Sequence, residues 1–210
     1  MIIISIDPHD VAPSGIDKAV TILKAGGVVA FPTETFYGLA ADAMNEKSID
    51  RIFEIKGRSF NNPIALIISR EDDLDLLTDN ITEEAKTLMA TFWPGPLTLV
   101  FQASSSISPR LTSGTGKIGA RISSHPIAIA LAAGLGRPIT ATSANLSGGR
   151  ECTTAEEVRG QMVNMQLTVI DGGPTPGGRG STFLDVTVDP PALLREGAIH
   201  GTTIRAALRK

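Results

Sequence analysis

Short apolar runs alternate with longer amphipathic stretches along nearly the whole chain, and this alternation restricts the fold more than any other feature. IIISI at 2–6, VVAF at 28–31, PIALIIS at 63–69, LTLVFQAS at 97–104 and KIGARIS at 117–123 have strand length and strand composition. So do PITATSA at 138–144, LTVI at 167–170, STFLDVTV at 181–188 and ALLREGAI at 192–199. Between them lie helical patterns. GIDKAVTILKAGG carries Ile16, Val20, Leu23 and Ala25 near helical spacing and stops at Gly26-Gly27. KSIDRIFEIKGR puts Ile49, Ile52, Phe53 and Lys56 on one face and ends at Gly57. TEEAKTLMATFW is a helix halted by Pro94, HPIAIALAAGLG is one with Pro126 in its first turn, and AEEVRGQM and TTIRAALRK complete the set. Strand–helix alternation with consecutive strands near the end predicts an α/β (α+β) fold: one twisted, mixed parallel/antiparallel sheet flanked by helices.

No Pro- or Ser-rich linker and no repeat divides the 210 residues, so a single domain over 1–210 is expected, its core at about 13–200. Hydrophobic residues at 42% supply enough material for a large core. Lys and Arg total 19 against 22 Asp and Glu, a net charge of −3. That balance argues against a general nucleic-acid binder but permits a basic cavity inside an acidic shell. Cys152 is the single cysteine and there are 3 histidines, so neither a disulfide nor a Cys- or His-based metal centre is expected. The apolar start is too short for a membrane span or a signal peptide, which points to the cytoplasm and away from membranes.

Polar and glycine-rich clusters recur beside the strands: PTETFYG, KGRSFNNP, TSANLSGG, DGGPTPGGRGST and LREGA. In open α/β sheets ligands sit beyond the carboxyl ends of strands, so five such segments converging there would make a sizeable polar pocket. Lys56 and Arg58 flank a glycine at a helix end. Two cations there can complement the helix dipole, or they can grip a phosphate or carboxylate. Ser143 and Asn145, two apart, share a side of an extended chain; they suit a phosphate, a ribose or a base edge, and equally an Asx-type turn. GTGKIG (114–119) matches a dinucleotide fingerprint in letters but leads into a strand instead of opening a helix, and is rejected. Arg121, Arg179 and Arg195 complete the cations, with Arg179 in a glycine-rich loop whose amides could cradle an anion. His125 reads as a helix cap and Trp93 as core. Glu34 and Asp42 invite an acid–base role, but no Ser–His–Asp or Cys–His set accompanies them. The chemistry implied rests on cations and hydroxyls.

In this order the segments resemble the YrdC family, the L-threonylcarbamoyladenylate synthases. The resemblance is carried by PTETFYGL, the K-x-R of KGR with the proline of NNPIALI, FWPGPLTL, ARISSHPIA, the S-x-N of TSANLSGG, DGG with the downstream GST, and REGAI, from about Ile16 to Ile199. STFLD departs mildly from the usual STVVD or STIVD, and the chain looks like a short form without the longer relatives' extra domain. The resemblance implies a YrdC-like fold with a large concave cationic pocket. It implies that L-threonine, bicarbonate and ATP give threonylcarbamoyl-AMP and pyrophosphate, with Mg2+ accompanying ATP. The product would supply the proteins that place N6-threonylcarbamoyladenosine in tRNA. It assigns Lys56 and Arg58 to the triphosphate and the carbamate, and Ser143, Asn145 and Thr142 to phosphates and ribose. Thr33 and Tyr37 go to the threonine pocket, and Arg121, Ser181 and Arg195 to threonine's carboxylate and the nucleotide. The rival reading is an RNA-binding module using the same cationic concavity without catalysis; the 4% aromatic content supplies few stacking platforms for it.

Overall fold

The computed structural model describes residues 1–57, 62–163 and 165–209. In chain order the strands are β1 (Ile2–Ser5), β2 (Val29–Phe31), β3 (Gly38–Ala40), β4 (Leu66–Ile67), β5 (Leu97–Gln102) and β6 (Lys117–Arg121), then β7 (Ile139–Thr140), β8 (Thr142–Ser143), β9 (Thr168–Asp171), β10 (Thr182–Asp185) and β11 (Ala192–Arg195). The helices are α1 (Pro13–Lys24), α2 (Glu46–Lys56), α3 (Glu83–Phe92), α4 (Pro109–Thr112), α5 (Pro126–Leu135), α6 (Ala155–Gln161) and α7 (Gly201–Ala207). The α/β class expected from the alternation is what is found. The single sheet is not.

The strands form two mixed sheets, one of five in the order β1-β9-β2-β3-β8 and one of six in the order β11-β10-β5-β6-β4-β7. The reason lies in PITATSA, which reads as one strand. β7 pairs antiparallel with β4 of the six-stranded sheet, and β8 pairs antiparallel with β3 of the five-stranded one. The switch happens at Ala141, whose N–H donates to the Ala65 carbonyl at 2.8 Å, next to Thr140, whose N–H donates to Ala41 at 3.0 Å. One extended run therefore feeds two ladders, and its backbone groups stay satisfied across the change. β3, α4 and a 3-10 turn at Glu71–Leu76 went unforeseen, each too short to show a period.

Two apolar clusters hold the layers together. α1 and α5 bury Ile16, Val20, Leu23, Ala128 and Leu131 against Val29, Phe31, Ala40 and Ile170 of the five-stranded sheet. α2 and α3 contribute Ile49, Ile52, Phe53, Leu88 and Met89 to the second cluster, with Leu99, Phe101, Ile118 and Ala120 from β5 and β6. Each fully buried Leu, Ile or Phe stabilises by about 1.5–3 kcal/mol relative to exposure. Trp93 is buried there too, its indole N–H donating to the Leu97 carbonyl at 2.7 Å.

Local signals set the helix ends that matter for the site. Asn45 caps α2 by accepting the Lys47 N–H at 3.1 Å, and Gly57 stops the helix at φ 57°, a left-handed turn that disfavours other residues. His125 caps α5 through Nδ1, which accepts the Ile127 N–H at 3.3 Å, and Pro126 occupies the first helical position. Among the described residues no helix is long and apolar enough to cross a membrane.

Candidate active site

A cavity of about 480 Å³ opens where the two sheets meet, within the range of small-molecule sites. Its floor is a sheet face. On β6 the alternate residues Lys117, Gly119 and Arg121 line it, while Ile118 and Ala120 point into the core on the opposite side. Phe183 of β10 and Ser181 just before it continue the same surface. Gly119 keeps that floor open: a Cβ there would lie 3.1 Å from Thr98 Cγ2 and 3.6 Å from the Phe183 ring. The five polar segments expected to converge do supply residues to it, but the cavity lies over a sheet face as well as beside strand ends. The strand-end segments supply the opposite wall: Thr33, Thr35, Phe36, Tyr37, Thr142 and Ser143.

The turn after β2 is built by its own hydroxyls. Thr33 Oγ1 donates to the Phe36 carbonyl at 2.7 Å and accepts the Thr35 N–H at 3.2 Å. Tyr37 is completely buried, and its hydroxyl donates to the Gly173 carbonyl at 2.8 Å. Burial pushes that phenol up to about 12, so it is neutral at working pH. The glycine-rich stretch 171–180 is tied down further, as the Thr175 N–H donates to Thr153 O and the Gly177 N–H to Thr35 O, both at 2.8 Å. This stretch is thus anchored at three points.

Lys56 ends α2 and bonds outside it. Its Nζ reaches across to the turn after β8, donating to Ser143 O at 2.5 Å and Asn145 O at 3.0 Å, with Asn145 Oδ1 at 3.3 Å. Asn145 Nδ2 donates onward to Gly149 O at 2.6 Å. Lys56 and Asn145 are buried and meet behind Ser143, which lines the cavity. Arg58, the other member of the KGR pair, lies outside the described residues.

At the far end of the floor Arg195 donates through Nη2 to the Ser181 carbonyl at 2.8 Å and stacks over the Phe183 ring, 4.4 Å from its centroid. Ser181 Oγ accepts from Thr98 at 2.9 Å. The approach of LREGA to GRGST demands a glycine, because a Cβ on Gly197 would sit 2.1 Å from Gly180 O. Arg121 donates Nε to Glu34 Oε1 at 3.0 Å, and Ser123 Oγ donates to Glu34 Oε2. Burial raises the Glu34 carboxyl, yet Arg121 and Ser123 outweigh it and leave the group below the usual carboxylate range. Lys117 pairs with Asp185 at 2.7 Å.

Of the residues singled out from sequence, Thr33, Tyr37, Arg121, Thr142, Ser143, Ser181 and Arg195 therefore line one cavity, with Lys56 and Asn145 directly behind it. Arg179 does not join them: it is largely exposed and pairs with Glu196 at 3.5 Å, on the surface. Lys117, Thr35, Asn62, Glu151 and Phe183 were missed. The period-two pattern K-x-G-x-R in KIGARIS was a usable signal for Lys117, and Thr35 and Asn62 lie in the polar clusters PTETFYG and KGRSFNNP; nothing local marks Glu151 or Phe183.

Residues 21–197 match the family model Sua5_yciO_yrdC, described as Telomere recombination. The chain is 43% identical over 194 residues to the threonylcarbamoyl-AMP synthase of Bacillus subtilis (strain 168), covering 92% of this chain and 56% of that protein. It is 36% identical over 186 residues to the threonylcarbamoyl-AMP synthase of Vibrio vulnificus (strain YJ016), covering 88% of this chain and 99% of that one. Among solved structures, that of P. abyssi Sua5 complexed with L-threonine superposes with a TM-score of 0.95 at 40% identity, over 99% of this chain and 61% of the other. The chain thus spans little more than half the length of the Bacillus relative and of the P. abyssi protein.

Proposed function

This chain belongs to the Sua5/YciO/YrdC family, and from that premise we propose that it is an L-threonylcarbamoyladenylate synthase. Threonine's amine and bicarbonate form a carbamate and water. A carbamate oxygen then bonds to the α-phosphorus of ATP, the bond from that phosphorus to the bridging oxygen breaks, and pyrophosphate leaves with the electron pair. The nucleophile is already anionic, so the reaction needs neutralisation of charge and positioning more than a strong base. The observation that carries the reading is one cavity lined by Arg121, Arg195, Lys117 and a row of hydroxyls, with Lys56 anchored behind Ser143.

Within this proposal Lys56, from behind Ser143, and Arg58 supply positive charge to the triphosphate and the carbamate. Ser143, Asn145 and Thr142 order phosphates and ribose. Thr33 and Tyr37 wall the threonine subsite, with Arg121, Ser181 and Arg195 on the threonine carboxylate and the nucleotide. ATP enters as its magnesium complex, a substrate. Beside its cations and hydroxyls the described lining carries a single carboxylate, Glu151, too few for a carboxylate cage, so Mg2+ would be held mainly by the phosphates and water. Threonylcarbamoyl-AMP passes to tRNA-modifying proteins, in the cytoplasm. The test is to incubate the purified chain with ATP, bicarbonate and each amino acid and identify the adenylate by mass. Threonine-dependent threonylcarbamoyl-AMP with stoichiometric pyrophosphate is expected; none of either refutes the proposal.

A further inference from the structure

Arg121 is a cavity cation whose orientation is set by another side chain, Glu34. Its side chain is 5% exposed and that of Glu34 11%, so the pair is shielded from water. Glu34 takes the Nε–H of Arg121 on one oxygen and the Ser123 hydroxyl on the other. Ser123 Oγ in turn accepts the His125 N–H at 3.2 Å, which ties the network to the first turn of α5. A guanidinium can grip a carboxylate side-on, through Nε and one Nη, or end-on, through both Nη groups. Glu34 occupies the side-on edge. The Nη groups donate to no described residue, and the cavity is what Arg121 lines.

We propose that Glu34 is a positioning residue for amino-acid binding: it fixes Arg121 so that the end-on fork alone is presented to the substrate's carboxylate. This rests on the function proposed above. The charge pattern supports it. Arg121 carries a resident counter-charge, as Lys117 does in Asp185, whereas Arg195 rests on the Ser181 carbonyl oxygen. A compensated arginine suits a singly charged carboxylate that must be held at one angle.

The experiment is steady-state pyrophosphate release by the full chain, with KM measured separately for threonine and ATP. Glu34→Gln keeps the side-chain volume and removes the charge. Loss of one charge-assisted hydrogen bond should raise the threonine KM about tenfold, with ATP KM and kcat within about threefold. In an Arg121→Gln background, where threonine KM is already raised, Glu34→Gln should add nothing further. An unchanged threonine KM, an equal rise in both KM values, or additive effects in the double variant would overturn the proposal. Should Glu34→Gln fail to fold, Ser123→Ala carries the test, since it frees one carboxylate oxygen and keeps the ion pair. A threonine-specific rise supports the proposal, and its absence refutes it. A wild-type chain without threonine-dependent turnover would instead refute the synthase reading.

Discussion

Lys56 Nζ lies 2.5 Å from the carbonyl oxygen of Ser143, joining the last turn of α2 to the strand-end turn of a different sheet. The contact makes Lys56 at once a charge beside the cavity and a strut. Replacing it with methionine should lower threonine-dependent turnover about 100-fold or more, as loss of a positioned electrostatic group does. It should also destabilise by about 1–3 kcal/mol, because the Ser143 and Asn145 carbonyls lose a buried donor. Parallel pyrophosphate assays and thermal melts check both. A variant as active as the parent removes Lys56 from the site.

Arg195→Lys tests the other end of the floor. Lysine keeps the charge but lacks both the planar stack on Phe183 and the fork that reaches Ser181 O. The expected result is a fall in kcat/KM of about tenfold with an unchanged melting temperature. An unaltered kcat/KM would show that charge alone suffices there.

Tyr37 is the single tyrosine of the chain, so absorbance of phenolate reports it without ambiguity. Burial raises it from 10.0 to about 12 in the folded protein. The folded state thus holds this proton more tightly than the unfolded one. The stability so gained is complete below pH 10.0 and is lost as pH rises towards about 12. A spectrophotometric titration should show no phenolate at pH 10.0 in native protein and half-ionisation there in denaturant. Ionisation at that pH in the native chain would contradict the burial of Tyr37.

Cys152 provides a probe of the turn that follows the S-x-N motif. It is fully buried, and burial, with help from Glu157, pushes its thiol up to about 11. Thiolate is the reactive form, so a disulfide reagent at pH 8 should label native protein at least about tenfold more slowly than protein in guanidinium. Rapid native labelling would mean that the 150–154 segment opens readily.

The sequence alone was enough for the α/β class, for most elements, and for part of the cavity lining, though not for Lys117, Glu151 or Phe183. Apolar periodicity is a local property, and polar residues at strand ends stand out because each is dear to bury without a partner. It was not enough for the split of PITATSA between two sheets, for the cavity lying on a strand face, or for the pairing of Glu34 with Arg121 across 87 positions. The anchoring of the DGGPTPGGRG stretch by Tyr37 was equally out of reach. Those features depend on which segments meet in space, and a hydrogen bond or ion pair between distant segments leaves no mark on the local spacing of either. The tertiary structure decided them because most buried donors and charges had to find partners once the two sheets closed on each other.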